Sequence, residues 1–114
     1  MTPEQAALVD RLRLALADQP VLREVSMFGG RSFMVNEKLA VSALKTGGLL
    51  VRVDAGRHEE LLKRQGAVQA EMGPGRDMGP GWIEVEAAAL TGEGLEPWVL
   101  IALEHNRAVT GTAG

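Results

Sequence analysis

Few side chains in this sequence carry chemistry, and their types limit what they can do. There is no cysteine, which removes disulfides, thiolate nucleophiles, iron–sulfur clusters and cysteine-ligated zinc together. The two histidines, His58 and His105, fall on different predicted helices. Neither has a ligand partner three or four residues on, the spacing a helical metal face requires, although Glu104 and His105 are adjacent. The sequence therefore predicts a solvated His58 and a packed or capping His105. Ser26, Ser32 and Ser42 lie in predicted strands without nucleophile-elbow spacing. Glu84 and Glu86 share one strand face and have the charge for a cation, but such a pair is more often the wet edge of a sheet. No nucleophile, base and orienting group come together, so the chain reads as non-enzymatic, with no catalytic residue, cofactor or metal assigned.

Two glycine-rich stretches bear on binding. Gly29-Gly30-Arg31 has the composition of a small anion nest, in which freed backbone N–H groups and one cation hold a phosphate. Phosphate loops normally lead into a helix, whereas this one leads into a strand, so a tight turn or bulge is the simpler reading. GPGRDMGPG, from Gly73 to Gly81, lacks the Gly-Lys-Ser/Thr ending of a nucleotide cradle and loses donors to its prolines; it reads as a surface loop. Arg52, near the end of a strand, is suited to an acidic ligand or to a cross-strand pair with Glu84 or Glu86. The candidate ligand or partner surface is then Met27, Phe28, Gly29, Gly30, Arg31, Arg52 and Trp82.

The elements that must position these residues follow from composition and pattern. A chain of 114 residues fits one domain, and at that size roughly two thirds of the unfolded surface can be buried. Apolar residues make up 46% and aromatics only 4%, so the core is expected from Leu, Val, Ala and Met around two Phe and two Trp. The net charge is −3 and the twelve basic residues are scattered between Arg11 and Arg107, which disfavours direct nucleic-acid binding. The start MTPEQAALVD has neither the basic lead nor the apolar run of a secretory signal, and no apolar stretch reaches the ~18 residues that span a bilayer. A cytoplasmic protein without a membrane segment is expected.

Thr2, Pro3 and Gln5 form a capping box with proline at the first helical position, predicting a helix over 3–18 that Pro20 stops. Asp10, Arg11 and Arg13 belong to its wet side. Strands are predicted over 21–28, 31–35, 39–44 and 49–53, joined by Gly29-Gly30, a turn at 36–38 and Thr46-Gly47-Gly48. Connections this short make neighbouring strands antiparallel. Ser32, Ser42 and Arg52 interrupt apolar runs, which predicts one covered and one partly wet sheet face. Asp54 caps a second, thinly apolar helix over 55–65. A strand over 68–72, a half-buried strand over 82–86 and a last helix from about 94–97 complete the chain, the last placing Trp98, Ile101, Ala102, His105 and Val109 on one face. The fold class is α+β: two layers, a mainly antiparallel sheet of five or six strands, three helices on one face, in the order α-β-β-β-β-α-β-β-α. The chain is one domain with a core over 3–109 and a frayed tail over 110–114.

MFGG at 27–30, then Phe33 and Met34, a hairpin turn, a strand ending Leu50-Val51-Arg52-Val53-Asp54, the Gly-Trp-Ile-Glu-Val run at 81–85 and Trp98 in the last helix resemble the TfoX/Sxy N-terminal domain family. The resemblance covers about 22–108, and MFGG is its most specific piece. It implies an α+β fold of the secretion-chaperone-like type. Full-length proteins of this kind regulate natural competence together with the cyclic-AMP receptor protein at promoters, and carry a second, helical domain. The resemblance thus implies a stand-alone N-terminal domain, a transcription-linked accessory protein acting through a protein partner, and no catalytic residues. Homodimerisation through the sheet is a further expectation. The alternative reading is a small-molecule or anion-binding domain that uses the MFGG turn with Arg31 and Arg52.

Overall fold

Period-two alternation in the strands decides which side chains leave water. A computed structural model describes residues 1–19, 22–27, 30–73 and 75–111. Helix α1 (Pro3–Ala15) leads into β1 (Leu22–Met27), β2 (Gly30–Val35), β3 (Lys38–Ala43) and β4 (Leu49–Arg52). A 3-10 turn at Ala55–Arg57 runs into α2 (His58–Leu61), followed by β5 (Ala67–Gln69), β6 (Glu71–Gly73), β7 (Arg76–Asp77) and β8 (Trp82–Val85). Two 3-10 turns, Ala87–Leu90 and Gly92–Gly94, precede α3 (Leu95–Thr110). Six strands form one antiparallel sheet in the order β1-β2-β3-β4-β8-β5, while β6 and β7 make a separate small hairpin. The protein has the α+β architecture and element order expected of it.

The register runs in rows across this sheet. Phe33, Val41, Val51 and Ile83 oppose one another in turn, and each is 0% exposed. Ala43, Leu49 and Val85 form a second buried row on the same face. Leu8, Val9 and Leu12 of α1, Leu61 of α2 and Leu95, Trp98, Val99 and Ala102 of α3 join these rows in one core. All three helices therefore bury their side chains against a single sheet face.

Local chemistry explains the ends. Thr2 Oγ1 accepts the Gln5 N–H at 3.1 Å, but Gln5 does not reach back; its Nε2 donates to the Ala43 carbonyl at 2.9 Å and ties α1 to β3. The helix ends at Ala15, short of Asp18, with Leu16 as its cap. Asn36 and Glu37 both take positive φ, 51° and 66°, which gives the two-residue hairpin turn whose twist suits the flanking strands. Gly30 owes its place to space: a Cβ there would meet Ser42 Oγ at 2.6 Å and the Ala43 carbonyl at 2.9 Å.

Four expectations are corrected. The second helix does not run to Gln65; Asp54 caps a 3-10 turn and only His58–Leu61 is α-helical, since Leu61 is the only leucine of that segment fully sunk in the core. The strand expected over 68–72 is split between β5 and β6, and the glycine-rich loop contributes β7 to the hairpin. Val109 is 51% exposed, because α3 has by then passed the sheet end, where Asn106 already meets the β2–β3 turn. Thr110 is helical, and Gly111 follows it as a left-handed cap with φ 69°; residues 112–114 of the expected tail lie outside the described residues.

Replacing Leu49 by alanine is predicted to cost about 2–5 kcal/mol, because the removed atoms come from a fully buried row. Leu100→Ala, on the exposed side of α3, changes stability by less than about 0.5 kcal/mol. Urea unfolding of the two variants measures both.

Candidate functional site

The sheet sends the candidate residues to two places. Gly30 and Met27 oppose each other at the β1–β2 end, and with Arg31, Gln5 and Lys45 they line an open cleft of about 680 Å³ beside the start of α1. Phe28 and Gly29 lie outside the described residues. Arg31 Nε is buried there with no protein acceptor. Gly30 belongs to β2 and lacks the positive φ of a nest, so its backbone serves the ladder.

Arg52 and Trp82 sit at the other end of the strands, directly opposed in register. At ~3.3 Å per residue and ~4.8 Å per strand, Arg31 and Arg52 are roughly 14 Å apart along the sheet. They line different clefts. The expected pairing of Arg52 with Glu84 or Glu86 is not made, because the register places Glu84 opposite Leu50. Arg52 instead lies over the Trp82 ring at 4.6 Å from its centre, a cation–π arrangement. Its Nη1 donates to the Gly81 carbonyl at 3.4 Å.

Gly81 is the junction that builds this end. Its N–H donates to His58 Nδ1 at 2.9 Å, and its carbonyl accepts from Val53 N–H at 2.8 Å. An acceptor Nδ1 puts the proton on Nε2, which donates to Gln69 Oε1 at 2.7 Å. Gln69 Nε2 in turn donates to the carbonyls of Ala70, Gly79 and Trp82. His58 is thus 6% exposed, not solvated: the imidazole is a bracket for the glycine-rich loop. A Cβ at Gly81, whose φ is 95°, would meet Arg52 Nη1 at 2.5 Å, so this glycine also leaves room for the guanidinium.

His105, half-buried, faces the second cleft together with Lys38, Leu39, Asn106 and Val109. Burial, and then the charge of Arg52, lower its pKa below the ordinary imidazole value, against a smaller opposing pull from Asp54. His105 is therefore packed, as expected, and largely neutral at pH 7. Asn106 was not singled out from the sequence, although an amide that follows Leu95, Val99 and Ala102 on an apolar stripe is a visible signal. Lys38 and Leu39 carried no signal at all, because only the fold brings the β2–β3 turn to α3.

On the face away from the helices, Val25, Ser32, Ser42, Leu50, Glu84 and Val68 form a row across all six strands. Ser32 Oγ donates to Ser42 Oγ at 2.9 Å, and both serines are buried. They do not wet the face as expected; they pair and shelter among neighbours. Burial, then Glu86 and Glu71, raise the pKa of Glu84. Among the described residues no three His, Asp or Glu side chains gather as a metal would require, and no helix is long and apolar enough to cross a membrane.

The sequence model of the TfoX N-terminal domain matches residues 15–106. The chain belongs to that family. In this TfoX N-terminal domain, the first residue of MFGG, Met27, ends β1 and its last, Gly30, begins β2 and packs on Ser42, and the Gly-Trp-Ile-Glu-Val run is β8 with its Gly81 junction. No curated protein and no solved structure matches the chain.

His58→Leu strips the Gly81 N–H of its acceptor and is predicted to cost about 1–3 kcal/mol, read by urea unfolding. Glu84 gives a pH signature. A carboxyl whose pKa is raised in the folded state holds its proton more tightly there, so its ionisation opposes folding. The part of the stability that Glu84 supplies is predicted to be lost as pH rises from the ordinary carboxylate range through its raised pKa, so that Glu84→Gln gains on the wild type over that interval. Thermal unfolding from pH 4 to pH 8 compares the two proteins.

Proposed function

We propose that this TfoX N-terminal domain is a non-enzymatic interaction module that acts through a protein partner, in keeping with a transcription-linked accessory role. The observation that carries this reading is the sheet face that the helices leave. All three helices contribute to the core on the Phe33 side, so the row from Val25 to Val68 has none of them packed on it. Alternation puts the half-buried Val25, Met27 and Met34 on that side, with Leu50, buried, on β4 and Val68, 41% exposed, at the β5 edge. Half-exposed apolar side chains on a sheet face that no helix covers are a usual mark of an interface.

The electrostatics of the face support a basic partner. Glu84 is raised in pKa by burial and by Glu86 and Glu71, so the β8 side presses acidic groups together, and none of the described ion pairs takes these three carboxylates. A protein with an apolar centre flanked by Lys or Arg relieves that repulsion and fills the face. Direct reading of nucleic acid is disfavoured by the same acidic groups.

Met34→Lys and Val68→Lys are predicted to leave the fold intact and abolish capture of a basic partner from native extract, with Glu84→Gln weakening it and reducing its salt dependence. Capture that survives both lysine variants would sink the reading. Sedimentation at low micromolar concentration separates the competing outcome: dimers lost with Val68→Lys assign the face to a second copy instead.

A further inference from the structure

The second cleft carries an inference independent of the sheet face. It lies between the last turns of α3 and the strand ends that hold Lys38, Arg52 and Trp82, and has a volume of about 360 Å³. Asn106 is its most informative residue. It is 2% exposed, and its Nδ2 donates to the Val35 carbonyl at 2.9 Å and, at 3.5 Å, to that of Lys38. Both partners are carbonyls, so the amide cannot be turned round. Its Oδ1 must then point elsewhere, and this buried oxygen has no protein donor. A buried carbonyl-type oxygen without a donor costs about 1–3 kcal/mol. His105 Nε2, in the same cleft, is buried without a protein partner as well.

The charged residues that line the cleft are both cations, Lys38 and Arg52. None of the described ion pairs takes Arg52 or Lys38. The Trp82 ring fixes the Arg52 guanidinium in place, and Gly81 takes only a long hydrogen bond from it. Asp54, the carboxylate within electrostatic reach of His105, accepts the Gly56 N–H at 3.0 Å. The cleft thus brings two cations, suited to an anion, together with Asn106, whose buried Oδ1 has no donor.

We infer that this cleft binds a small hydroxylated carboxylate, the carboxylate held by Arg52 and Lys38 and the hydroxyl donating to Asn106 Oδ1. A plain anion satisfies the cations and leaves the amide oxygen unpaired; a neutral alcohol does the reverse. A site built to receive a hydroxyl discriminates against the analogue that lacks one. The near-neutral His105 suits the ligand too, since its Nε2 can donate to or accept from a second oxygen.

Malate and succinate test this, because they differ by one hydroxyl and share their charge. In a titration followed by amide and indole N–H resonances, malate is expected to shift the Trp82 indole and Asn106 side-chain signals saturably. Malate is expected to bind at least about fivefold tighter than succinate, the worth of one hydrogen bond at ~1 kcal/mol. Arg52→Met keeps the stem on the tryptophan ring and is expected to weaken malate about tenfold or more, while Arg31→Met, in the other cleft, leaves it unchanged. Equal affinity for the two acids, equal losses from both arginine variants, or no saturable shift at the Trp82 indole would each overturn the inference. If sulfate, an anion without a hydroxyl at neutral pH, competes as well as malate, the site is a simple anion site and the hydroxyl assignment fails.

Discussion

The register of the six-stranded sheet is the constraint on which everything else rests. Because side chains alternate with a period of two, a single slip of one strand would send Phe33, Val41, Val51 or Ile83 to the face without helices. The bulge in β3 between its pairings with Phe33 and Met34 shows how tightly this is held. The pairing shifts there, yet Val35 and Ala40 on either side of it stay buried. With the apolar rows fixed on one side, the helices have one place to go. The opposite face, with its paired serines and its raised Glu84, is what that choice leaves over.

The second organising feature is polar. His58, Gln69 and Gly81 form a chain of hydrogen bonds that satisfies buried groups where β4 ends and β8 begins. Such a network specifies one conformation, because a buried donor or acceptor left unpaired is costly. It fixes the glycine-rich loop, and through Gly81 it sets where Arg52 can lie. Arg52 in turn rests on Trp82 and lowers the pKa of His105. A residue that the sequence assigns to solvent therefore stands two contacts away from the cleft on α3.

Much of the fold was legible because it is written in short-range chemistry. Thr2 and Pro3 start a helix, Asn36-Glu37 turns a hairpin and Thr46-Gly47-Gly48 turns another. Family membership was legible for the same reason, since MFGG and the Gly-Trp-Ile-Glu-Val run are short contiguous motifs. The site was less so. Arg31 and Arg52 look alike in sequence, each a cation in an apolar strand, yet one belongs to the α1 end of the sheet and the other to the α3 end. Ser32 and Ser42 look like wet positions, and their pairing across β2 and β3 buries them.

Local sequence, then, determined the first four strands and their turns, the strand that follows Gly81, the starts of the first and last helices, the antiparallel connections and the family. Each of these depends on interactions between residues a few positions apart. Tertiary structure alone decided that β8 inserts between β4 and β5, that His58 is buried and that Arg52 meets Trp82. It alone brought Asn106 to the β2–β3 turn, 71 residues away in the chain. The reason is physical: burial and pairing are properties of what lies across a contact, and no neighbour in the chain specifies that partner.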